Sequence, residues 1–126
     1  MVRAFVAWVL IIAAETVHGV LRQLLLAPVV GDLRARQIGV VVGSAIIFTI
    51  AWALARWLRA RTVRAQLAIG ALWVVLTACF EYALGRALGL TNERMLADYD
   101  VARGGFMLFG LAFMLVAPVL AARVRR

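Results

Sequence analysis

Four long apolar runs, at residues 3–27, 36–59, 64–90 and 103–123, take up almost the whole chain and leave only short connections. A membrane helix needs about 20 mainly apolar residues, and each run is that long. Mean hydropathy is +0.99 and 66% of the 126 residues are hydrophobic, far more than one small soluble core could enclose. Proline and glycine patterns of the kind that punctuate strands are absent, and backbone groups inside a bilayer must be satisfied within helices or a closed barrel. The chain therefore reads as an all-α, four-helix transmembrane bundle forming a single integral membrane domain over 1–126. The first run opens on Arg3 in the manner of a signal peptide. It continues past Glu15 to Ala27 with no small-x-small cleavage site before Glu15, so it is expected to remain as a membrane helix.

The charges divide between the two ends of such a bundle. All 14 basic residues are arginine. Arg3, Arg56, Arg59, Arg61, Arg64, Arg123, Arg125 and Arg126 fall at the N-terminus, the second connection and the C-terminus, without one acidic residue among them. The other arginines share the opposite half with every acid of the chain, and the formal charge of +8 belongs to the first end. By the positive-inside rule both termini are cytoplasmic, in a multi-pass protein of the bacterial inner membrane. Arginines at helix ends, with no domain to hold a groove, point to lipid headgroups and exclude a nucleic-acid partner. Trp57 and Tyr99 lie where interface aromatics collect, whereas Trp8, Trp52 and Trp73 lie deeper and are expected to pack. The one cysteine, Cys79, excludes an intrachain disulfide and reads as a small packing residue.

Within the first run, AETVHGVLR places Glu15, His18, Gly19 and Arg22 at i, i+3, i+4 and i+7, on one helical face. An ionisable group inside a bilayer costs a few kcal/mol or more (about 3 on insertion scales), so it normally has a partner or a task. Pro28 is expected to end this helix and Asp32 to cap the next. The second run carries Arg36, Gly39 and Gly43 on one stripe; Gly-x-x-x-Gly lets helix backbones approach closely. The third run holds Glu81, then Gly85 and Gly89. The outer connection brings Asp98, Asp100 and Arg103, and the fourth run continues through Gly110 to Pro118, where a local kink is expected and a broken span is not.

These features recur. A shift of 66 residues lays Glu15 on Glu81, Gly19 on Gly85 and Leu24 on Leu90; a shift of 67 lays Arg36 on Arg103, Gly43 on Gly110 and Arg56 on Arg123. The chain thus reads as two parallel two-helix repeats, 1–61 and 64–126, related by an axis along the membrane normal. Gly19, Gly39, Gly43, Gly85, Gly89 and Gly110 are the expected helix-packing glycines. His18 and Arg22 have no counterparts, since Leu84 and Leu88 stand in their places.

Two functions fit a charged centre of this kind. In the first, the protein is a small transporter or channel-like protein whose candidate ion-binding residues are Glu15, His18, Glu81, Arg36 and Arg103, with Arg22, Arg86, Asp98 and Asp100 lining an outer vestibule. In the second, Glu15 and Glu81 pair with Arg36 and Arg103 only to hold the hairpins together, in a structural or accessory subunit of a larger membrane complex. Length, four spans and a glutamate in the first span resemble the small multidrug resistance transporters; LeuIleIleAlaAlaGluThrValHisGly does not carry their flanking pattern, and no residue role is taken from them. Glu15-x-x-His18 has the spacing of a carboxylate-bridged di-iron ligand pair, but such sites need two copies and the repeat offers Leu84. No cofactor, no metal and no catalytic grouping is expected. The partners are membrane lipid and either further copies of the chain or subunits of a membrane complex.

Overall fold

The computed structural model describes residues 2–93 and 107–125. They form α1 (Val2–Leu21), a π-helical turn (Arg22–Leu26), the short α2 (Ala27–Val30), α3 (Asp32–Leu58), α4 (Val63–Ala87) and α5 (Met107–Arg125), with no strand among the described residues. Three stretches are long and apolar enough to cross a membrane: Val2–Val30, Leu33–Leu58 and Val63–Ala87. The apolar part of α5, Leu108–Val124, is shorter. Pro118 sits inside α5 without ending it.

The first helix does not stop at Pro28. Proline lacks an N–H and its ring crowds the carbonyl four residues back. Here the misfit is taken up by widening the preceding turn: the Ala27 N–H reaches the Arg22 carbonyl, five residues back, and Pro28 then sits in the first turn of α2. The true break is Gly31, whose φ of 91° only glycine adopts easily. Gly31, not Asp32, occupies the cap position of α3, and its carbonyl accepts from the Ala35 N–H at 2.9 Å.

At the basic end, α3 closes on Arg59 in the left-handed region (φ 58°), and Thr62 opens α4 with its hydroxyl accepting from the Ala65 N–H at 3.1 Å. The buried Gln66 donates to the Ala60 carbonyl at 3.1 Å and ties the turn to the helix. At its other end α4 stops in a Schellman turn. The Leu90 N–H bonds to the Gly85 carbonyl (2.9 Å) and the Gly89 N–H to the Arg86 carbonyl (3.1 Å). Gly89, at φ 80°, is therefore a helix terminator; nothing among the described residues lies within 4 Å of where its Cβ would be.

α5 packs along both α3 and α4, and α1 packs along α3 and over a shorter stretch along α4. Each helix thus touches the one that the sequence shift pairs with it, α1 with α4 and α3 with α5. The core lies almost wholly in the basic half. It comprises Ala4, Ala7 and Ile11 of α1, Ile47 and Ala51 of α3, Ile69 and Trp73 of α4, and Met114, Ala117 and Ala121 of α5. Trp73 is fully enclosed and donates its indole N–H to the Ala4 carbonyl at 2.8 Å. One turn on, the Trp8 indole donates to Thr77 Oγ1 (3.0 Å), and Thr77 donates to Met114 Sδ (3.4 Å), so three helices share one polar thread. Polar donors within this apolar layer are satisfied, which fixes helix register as well as packing. Trp52 and Cys79, read as packing residues, are exposed on the helix surfaces.

Candidate functional site

Beyond Ile11 the interior changes character. The next residue of α1 to face α3 is Glu15, near the middle of the Val2–Val30 stretch, followed by His18 and Arg22 one and two turns further on. All three are half-buried. They lie on the glycine stripe of α3. A Cβ built at Gly43 would stand 2.8 Å from Glu15 Oε2, and one at Gly39 would stand 2.9 Å from Arg22 Cδ and 3.6 Å from His18 Cε1. The Gly39-x-x-x-Gly43 stripe faces α1. The space it clears is filled by the polar side chains of α1 and not by its backbone.

Glu15 is unevenly placed within this stripe. Its Oε2 lies 3.8 Å from His18 Nδ1, while its Oε1 is enclosed and has no hydrogen-bond partner among the described residues. The side chain as a whole keeps 22% of its surface accessible, and that of His18 keeps 18%. Arg22 is in a similar state: its Nε is buried without a partner among the described residues, and its guanidinium charge acts on both Glu15 and His18. From α4, the Glu81 carboxylate also acts on the charge of Glu15. An enclosed acceptor left unpaired costs about 1–3 kcal/mol, more for a charged group, so this corner of the bundle is held at some expense of stability.

The remaining expected residues divide clearly. Glu81 is exposed on α4, not buried as its alignment with Glu15 suggests, and it is engaged in an interaction of its own. Arg36 also engages a partner; among the described residues the ion-pair partner of Glu15 is His18 on its own helix. Arg86 is exposed and donates to Asn92 Oδ1 at 3.3 Å. Gly85 is buried, and Gly110 faces Val40 in ordinary contact (3.4 Å). Gly19 meets nothing within 4 Å among the described residues. Asp98, Asp100 and Arg103 lie outside the described residues, as does Tyr99.

One packing residue was not singled out by the sequence. At Gly70 a Cβ would fall onto the backbone of Leu115, with Leu115 Cα only 2.9 Å away, so α4 and α5 cross in direct backbone contact there. Gly70 belongs to no Gly-x-x-x-Gly pair. The signal lay on the partner helix, where Ala117 and Ala121 form a small-x-x-x-small step and are both fully buried.

Among the described residues no group of three His, Cys, Asp or Glu side chains converges to hold a metal ion. No protein-family model, no curated protein and no solved structure matches this chain. What the site offers is a partly accessible carboxylate and an imidazole at mid-helix, laid in a glycine trough, above a closed apolar plug.

Proposed function

We propose that the protein is a small multi-pass membrane transporter that moves a proton or small cation, with Glu15 as its ion-binding carboxylate. The observation that carries this reading is the state of Glu15. One oxygen is enclosed and has no partner among the described residues, while the side chain as a whole remains partly accessible beside His18. A carboxylate kept only to hold helices together would be expected in a closed pair with an arginine of a neighbouring helix, since breaking or omitting one side of a buried pair is strongly destabilising. An ionisable group inside a membrane that is neither sealed nor paired across helices is a functional site by default. The closed plug of Ile11, Ile47, Trp73 and Met114 beneath it favours alternating access over an open channel. In this reading the arginine-rich end faces the cytoplasm, as the positive-inside rule has it for a bacterial inner membrane.

The test is cation flux from proteoliposomes under an imposed membrane potential. Wild-type protein is expected to exceed protein-free liposomes, and Glu15→Gln to abolish the excess. Flux at the protein-free level in wild type would leave the accessory-subunit reading in its place.

A further inference from the structure

The ligand of the polar half can be narrowed further. We infer that it is a proton, passed from His18 Nδ1 to Glu15 Oε2 and admitted only from the polar end of the bundle. This rests on reading the polar half as an ion path. Three observations favour a proton over a metal or organic cation. A hard metal ion takes about six or more oxygen ligands, or keeps its waters. Glu15 offers one oxygen closed off without a partner and a second pressed against Gly43, and the described residues supply no converging set of ligands. Arg22, laid over Gly39 beyond His18, sets a fixed positive charge on the stripe, which a hydrated cation arriving from that end must pass. A proton moves by exchange of bonds and needs neither a cavity nor a hydration shell.

The transfer begins with Glu15 as the carboxylate and neutral His18 carrying its hydrogen on Nδ1. Nε2 takes a proton from water at the polar end, giving imidazolium. The Nδ1–H bond then breaks as the Oε2–H bond forms, leaving neutral imidazole with its hydrogen on Nε2 and a neutral carboxylic acid at Glu15. A half-turn of the ring restores the starting tautomer. The present 3.8 Å separation must close to about 2.6–3.2 Å for transfer, a rotation of the Glu15 side chain along the glycine trough. Among the described residues the titratable groups that act on Glu15 are His18 and Arg22 from α1 and Glu81 from α4, with Arg36 a turn beyond Gly39 on α3, and the described start of α5 carries no titratable residue. Towards the basic end the next interior groups are Ile11, Ile47 and Trp73, so the relay from the polar end reaches no further than Glu15; the proton leaves when alternating access opens that plug and the Glu15 O–H bond breaks to water on the basic side, restoring the carboxylate.

Proteoliposomes loaded with a pH-sensitive dye, with radioactive sodium followed in parallel, decide the matter. Proton flux without sodium flux is expected, abolished by Glu15→Gln and reduced at least about tenfold by His18→Gln. Sodium flux that depends on Glu15 overturns the proton assignment while the ion-path reading stands. No flux of either ion brings both down. Proton flux that Glu15→Gln abolishes and His18→Gln leaves unchanged overturns the relay. Should His18→Gln fail to fold, the wild-type protein gives a second measurement: labelling of Glu15 by an apolar carbodiimide. Saturating sodium is expected to give no protection, and protection by sodium overturns the proposal.

Discussion

Gly70 and Gly43 both sit where two helices meet, yet a methyl group added to each would encounter different things. At Gly70 it would strike the backbone of Leu115, which cannot move without parting α4 from α5. At Gly43 it would strike the carboxylate of Glu15, the far end of a flexible side chain. The two glycines mark two halves of one bundle. In the basic half, backbones touch, side chains interlock around Trp73, and the polar donors of Trp8, Trp73 and Thr77 all find acceptors. In the polar half, close approach of α1 and α3 leaves a trough that holds Glu15, His18 and Arg22, and two of their polar atoms are enclosed without partners. The first half is built to stay as it is. The second retains unsatisfied groups and room for a side chain to turn.

That contrast can be broken by substitution, beginning with the largest effect. Trp73→Ala should cost the detergent-solubilised protein about 3–5 kcal/mol, as removal of a large enclosed aromatic does, read from its unfolding in a denaturing detergent. A loss below 1 kcal/mol would mean that the basic half is not the stabilising core. Gly70→Ala should destabilise by about 1–3 kcal/mol, the usual consequence of forcing an atom into a filled contact. Glu15→Gln should raise stability by about 1–2 kcal/mol, because it removes a charge whose enclosed oxygen has no partner, while ion flux is lost. If stability instead fell by a similar amount, Glu15 would be part of the scaffold. Gly43→Ala sharpens the comparison most. Its stability should stay within about 1 kcal/mol of wild type, since only a side-chain end must shift. Flux should nonetheless drop about tenfold or more, because the carboxylate no longer rests where His18 can reach it. Equal stability losses at Gly70 and Gly43 would erase the distinction between the halves.

The sequence by itself determined the all-helical character and the helices long and apolar enough to cross a membrane, through run length and hydropathy that no soluble core of this size could absorb. It also determined which residues share the stripe of α1, because the spacing of Glu15, His18 and Arg22 follows from helical geometry alone. Connections were less legible. Pro28 reads as a stop, yet a π-helical turn absorbs it. Gly89 reads as half of a packing motif, yet it ends α4, because the same lack of a Cβ serves both uses and the chain around it does not say which. Partners across helices were decided only by the tertiary structure. Matching of Glu15 to Glu81 suggests two equivalent buried carboxylates. The fold instead sets Glu15 in the trough of α3 beside His18, with Glu81 exposed. A period of 3.6 residues says which side chains point the same way along one helix. How far that helix is rotated and slid against its neighbours depends on contacts such as Gly70 on Leu115 and Trp73 on Ala4, and these decide whether a buried charge meets an arginine or a glycine.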